Sequence, residues 1–222
     1  MVIKEVFGDK KVVGLAGNKS EGKTNNLMAL IKNFRKYNKI TPIYVYGLNE
    51  NCLNWVNKLG NVYEFSTLRQ LIDKNNSLII IEEFQKLKLN DRKQRDILNE
   101  FIDFIYHNNN WVIFCSPNLR EFNSIIGSKI ERWCLKSLNL KDLINGSQLK
   151  EEILNYNGRF KILKDIRIDK NKILVINEDY EKVFEIEYIR EVDDKKRNID
   201  IFDLKNVRKL SENLSGKLSE KM

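Results

Sequence analysis

The chain has one histidine, two prolines and three cysteines in 222 residues. It also has no apolar run approaching the ~20 residues that a membrane-spanning helix needs. Each scarcity removes a class of function. His107, as the sole histidine, argues against histidine-based triads and most metal hydrolases, and it reads as the end of a helix. Cys52, Cys115 and Cys134 are odd in number and contain no C-x-x-C pair. That suits small buried hydrophobes in a reducing cytoplasm better than a disulfide or zinc framework. The first residues, Met1-Val2-Ile3-Lys4-Glu5, lack the apolar core of a signal peptide, so the expected location is cytoplasmic. The net charge of +8, from 39 basic and 31 acidic residues, is compatible with nucleic-acid contact and equally with a lysine-rich solvated surface.

What is present is a phosphate-binding loop. Gly17-Asn18-Lys19-Ser20-Glu21-Gly22-Lys23-Thr24 fits G-x-x-x-x-G-K-[ST] at every fixed position. Its context fits as well, because Lys11 to Ala16 reads as a buried strand, and Leu27, Leu30, Ile31 and Phe34 recur at helical spacing beyond it. A loop that wraps a triphosphate must aim successive N–H groups inward, so Gly17 and Gly22 supply backbone freedom and leave no side chain in the way. The helix opening near Lys23 adds unpaired N–H groups and the positive end of its dipole. Lys23 is expected on the β- and γ-phosphates and the Thr24 hydroxyl on Mg²⁺. The expected nucleotide-binding stretch runs on through Asn25, with ATP as substrate.

A second motif lies downstream. Leu78-Ile79-Ile80-Ile81 has the continuous apolarity of a central parallel strand, and Glu82 and Glu83 emerge at its C-terminal end. Open α/β sheets bind ligands at that end. Consecutive strand residues point to opposite faces, so a strand continuing through both carboxylates would give them different roles. Alternating strands and helices around this pair predict a mainly parallel sheet. The strands are 40–46, 61–65 and 111–115, and the helices are 50–59, one capped by Ser66, and one from Asp91 to about His107. Asn118, at the tip of the strand beside the carboxylates, stands where a polar side chain can sense a γ-phosphate or hold the attacking water. Arg120 and Arg132 are candidate arginine fingers, since a guanidinium fork neutralises charge on a transferring phosphoryl group.

The C-terminal third differs in character. Residues 160–168, 172–176 and 183–189 read as a β-meander, followed by a charged linker at 193–200 and an amphipathic tail carrying Leu204, Val207, Leu214 and Leu218. The expected domains are therefore a P-loop core over 1–148, a β-rich appendage over 149–192, and a linker and tail over 193–222.

The strand between the loop and the carboxylates, with the adjacent Glu83, resembles the additional-strand, catalytic-glutamate branch of P-loop NTPases with its RecA-like core. The spacing over roughly residues 10–140 resembles the small viral genome-packaging ATPases of the FtsK–HerA superfamily, with Asn118 standing where that family usually has Gln. The resemblance implies Glu82 in the Mg²⁺ water shell and Glu83 polarising the attacking water. It also implies a homo-oligomeric ring that translocates or packages double-stranded DNA, with arginine fingers given in trans and a viral or mobile-element origin. A capsid or replication protein is the expected protein partner. Two other readings use the same loop: an AAA-like helicase loader, and a small-molecule kinase with Arg92, Lys93 and Arg95 as a lid.

Overall fold

The computed structural model describes residues 2–17, 21–87, 92–117, 119, 122, 124–136, 162, 165–166, 169, 171–177 and 180–192. The apolar runs become the middle of one sheet. β1 (Val12–Ala16) and β4 (Leu78–Glu82) are buried along their whole length, and β5 (Trp111–Ser116) is buried beyond its first residue. Strands covered on both faces leave no place for polar alternation, which is why Leu78 to Ile81 is uninterrupted. β2 (Ile43–Tyr46), β3 (Val62–Glu64) and β6 (Arg132–Leu135) complete the parallel part.

Two layers cover it. On one face α1 (Val2–Phe7), α2 (Lys23–Tyr37) and α3 (Glu50–Asn57) pack on Leu15, Ile80 and Ile113; on the other, Leu98, Phe101, Ile102 and Ile105 of α4 (Arg92–His107) pack on Ile79, Ile81 and Phe114. Those α4 residues are the ones that helical spacing turns inward. α3 starts at Asn49, whose Oδ1 accepts the Cys52 N–H at 2.9 Å, and α4 closes on His107. Arg35, near the end of α2, donates to the carbonyls of Asn38, Lys39, Thr41, Gly60 and Asn61. It pins the far end of the helix whose first turn carries Lys23 and Thr24.

The strand order is β3-β2-β4-β5-β1-β6-β7-β8, with β7 (Lys172–Asn177) and β8 (Tyr180–Glu185) antiparallel. β5 therefore separates the loop strand from the carboxylate strand. The expected meander is corrected to a hairpin that continues the main sheet through β6. Ile162, Asp165 and Ile166, expected in its first strand, are helical, because the four-residue spacing of Ile162 and Ile166 sets both on the α4-side core. Residues 186–189, expected in its last strand, leave the ladder after Glu185. The expected Ser66-capped helix is a single 3₁₀ turn, Leu68–Leu71, capped by Thr67, because the Gln70 side chain reaches back to the Ser66 and Thr67 N–H groups. The proposed boundary at 148 and the tail 193–222 lie outside the described residues.

Candidate nucleotide site

β1 delivers the chain to the carboxyl edge of the sheet, where Gly17 donates to the Ser116 carbonyl at 3.4 Å. A Cβ on Gly17 would lie 2.7 Å from Lys136 Cβ, so glycine is required there by close approach. Gly22 has φ 96, a left-handed conformation that only glycine adopts without strain, and its carbonyl accepts the Asn26 N–H at 2.9 Å to start α2. The loop residues Asn18, Lys19 and Ser20 lie outside the described residues; Glu21 is half-buried beside them.

The two motifs meet at one oxygen. Glu82 Oε1 accepts from Lys23 Nζ at 3.0 Å and from Thr24 Oγ1 at 2.9 Å. Burial opposes the charge on Lys23 most strongly, but the charge and hydrogen bond of the Glu82 carboxylate, with the nearby Glu83 charge, together outweigh it, and the pKa is raised above the ordinary lysine value. Cys115, opposite Glu82 in the β4–β5 register, is fully buried, and burial pushes its thiol up. It acts as a neutral wall.

Glu83 is turned out of the strand. Its φ of 53 sends the chain into a 3₁₀ turn, Phe84–Leu87, and its carboxylate pairs with the exposed Lys86 ammonium. Hydrogen bonding and charge from Glu83 raise the Lys86 pKa. The two carboxylates are thus separated by the backbone turn after β4 rather than by strand alternation. Gly47, at the end of β2, makes that turn possible, since with φ 78 a Cβ there would sit 2.2 Å from the Glu82 carbonyl oxygen.

Thr24 and Glu82 are hard oxygen donors, 2.9 Å apart at the opening of the phosphate loop. That donor set suits Mg²⁺, which keeps most of its waters and takes one or two protein oxygens with the phosphates. Among the described residues no cluster of three or more His, Cys, Asp or Glu is placed to hold a metal by itself. A separate cleft of about 750 Å³, between Tyr44, Phe65, Arg69 and Glu100, shares no residue with the loop and has mixed charge. The site is assigned to the loop because the chemistry is there.

No protein-family model matches the sequence, and no curated protein aligns with it. Among solved structures the chain is similar to B204, the DNA-packaging ATPase from Sulfolobus Turreted Icosahedral Virus, with a TM-score of 0.57 and 12% identity over 81% of this chain and 98% of that one. B204 from Sulfolobus turreted icosahedral virus 2, in complex with ATP-gammaS, aligns at a TM-score of 0.51 and 10% identity over 81% of this chain and 98% of its own. EssC (ATPases 2 and 3) from Geobacillus thermodenitrificans aligns at 0.54 and 12% identity, over 96% of this chain and 45% of that one. These structures share the chain's fold, a RecA-like P-loop sheet.

Arg132, expected from the sequence as a finger candidate, lies far from the chain's own loop. It opens β6 opposite Val13, at the end of the strand away from the loop, and it is buried, donating to the Glu5 and Val6 carbonyls at the end of α1. A guanidinium held there would have to give up these carbonyls to meet a phosphate. Asn118 and Arg120 lie outside the described residues; of Arg92, Lys93 and Arg95 only the backbone is described, in the first turn of α4. The Asn25 side chain is bonded to residues 187 and 189 of the chain itself.

One residue escaped the sequence reading altogether. Lys136, at the end of β6 and fully buried, donates to the carbonyls of Ile166, at 2.7 Å, of Lys172, at 3.0 Å, and of Asp169. The Lys172 carbonyl also accepts from Asn26 of α2, at 3.5 Å. Both sides of the loop are thereby fastened to the hairpin segment. No sequence signal marks Lys136, because its partners are carbonyls 30 to 36 residues away.

Proposed function

We propose that the chain is an ATP-hydrolysing, Mg²⁺-dependent motor that translocates or packages double-stranded DNA as a homo-oligomeric ring, encoded by a virus or mobile element and acting in the cytoplasm. The observation that carries the reading is the convergence of Lys23 and Thr24 on Glu82 at the carboxyl edge of the sheet. With ATP and Mg²⁺ bound, Lys23 would exchange Glu82 for the β- and γ-phosphates, and Thr24 and Glu82 would hold the ion. The ion supplies charge neutralisation across the phosphates. Glu83, released from Lys86, orients and deprotonates the attacking water, Asn118 senses the γ-phosphate, and Arg120 completes the site of the adjoining subunit.

The similarity to B204 supports DNA as the cargo. The experiment is ATP turnover with and without linear double-stranded DNA. Stimulation by duplex supports the motor, stimulation only by single strands moves the reading to a replication switch, and indifference to DNA removes the motor.

A further inference from the structure

After β8 the chain leaves the sheet and lies against α2. Ile186 and Ile189 are buried in the α2-side core, and Glu187 pairs with Lys32 at 2.6 Å. Asn25, the residue after Thr24 and only 5% exposed, grips both neighbours of Tyr188. Its Oδ1 accepts the Ile189 N–H at 2.7 Å, and its Nδ2 donates to the Glu187 carbonyl at 3.5 Å. Lys32 lies two helical turns beyond Asn25, so Glu187 spans from its carbonyl at Asn25 to its carboxylate at Lys32, and the segment lies across α2 near the helix N-terminus. Helical side chains tilt toward that N-terminus, which brings the Asn25 amide beside the turn that carries Gly22 and Lys23. Tyr188, half-buried, is thereby fixed alongside the first turn of the phosphate loop helix.

A nucleoside triphosphate seated on that loop carries its base past the edge of the phosphate cradle, and the base needs an apolar face to cover it. Tyr46, the other tyrosine at the carboxyl edge, packs on Phe65 on the opposite face of the sheet from α2. We propose that Tyr188 is the stacking platform for the purine base of the bound nucleotide, with Asn25 as the residue that positions it. This rests on the reading that Gly17 to Thr24 holds the phosphates. A π-face stacks on any purine, so the platform confers affinity and leaves ATP and GTP weakly distinguished.

The test separates base from phosphate. Binding of ATP and of inorganic tripolyphosphate, each with Mg²⁺, is measured by calorimetry on the full chain and on Tyr188→Ala, Tyr188→Phe and Lys23→Ala. Tyr188→Ala should weaken ATP roughly ten- to a hundredfold, the loss of one stacked base, while tripolyphosphate binds as in the parent and Tyr188→Phe stays close to it. In Tyr188→Trp, the emission of the introduced indole should change with ATP and remain unchanged with tripolyphosphate, a readout that does not depend on the alanine variant folding. Unchanged ATP affinity in Tyr188→Ala, equal loss of both ligands, or an indole signal that tripolyphosphate also produces would overturn the platform. If Lys23→Ala binds both ligands normally, it is the loop reading that fails.

Discussion

The Lys23 ammonium lies 3.0 Å from Glu82 Oε1, and each side chain is only 8% exposed. Under the proposed function, the residue that would hold the phosphates is stored against the one that would serve the metal. The pair satisfies two groups that would otherwise be buried charges.

Lys23→Ala should abolish ATP binding by calorimetry. Glu82→Ala should destabilise the free protein by about 3–5 kcal/mol in denaturant titration, because it leaves an uncompensated buried ammonium. The pH dependence has a defined sign. A lysine whose pKa is raised by folding contributes stability that is fully present below its unfolded value, about 10.4, and is lost as pH rises through the folded value. The stability gap between the parent and Lys23→Met should therefore be flat through neutral pH and shrink only above that range.

Glu83→Gln should keep ATP affinity and slow phosphate release by roughly 10²–10⁴-fold, the usual contribution of a positioned base. Turnover at the parent rate would remove Glu83 from the mechanism.

Lys86→Ala should raise basal turnover without changing ATP affinity, because it frees the Glu83 carboxylate from its exposed partner. The gain should not exceed about fivefold, the equivalent of the ~1 kcal/mol that an exposed pair contributes at most. A fall in turnover would mean that Lys86 holds Glu83 in its working position.

Gly47→Ala places a Cβ against the Glu82 carbonyl at a positive φ, so both strain and overlap oppose it. Thermal unfolding should shift down by several degrees, at about 2–4 °C per kcal/mol for a chain of this size. Turnover should fall with it, since the end of β4 carries both carboxylates.

Arg120 and Arg132 should part company. Mixing inactive Lys23→Ala subunits with Arg120→Ala subunits should restore turnover at mixed interfaces, because a finger is worth roughly 10³–10⁵ in rate. Arg132→Ala should lower the thermal midpoint while leaving turnover intact at a permissive temperature, since its bonds are to α1 carbonyls. No rescue on mixing, with turnover strictly proportional to protein concentration, would leave a monomeric switch or kinase.

The phosphate loop, the carboxylate strand and the parallel core are legible in the chain before it folds. Those features are local: the glycines at 17 and 22 answer a backbone demand within the loop, and four apolar residues from Leu78 to Ile81 state that both faces of a strand are covered. Where the remaining groups point depends on long-range packing. Arg132 has the residue type of a finger, but only the fold sets it beside α1, and the carbonyls that hold it are 126 and 127 residues away. Residues 160–168 read as a strand, and the described ones, Ile162, Asp165 and Ile166, are helical because the four-residue spacing of Ile162 and Ile166 meets the α4-side core. Lys136, Gly47 and the second role of Asn25 were illegible for a common reason. Their partners are backbone atoms of distant segments, and a backbone carbonyl or N–H carries no signature in the sequence until the fold sets it beside the side chain that needs it.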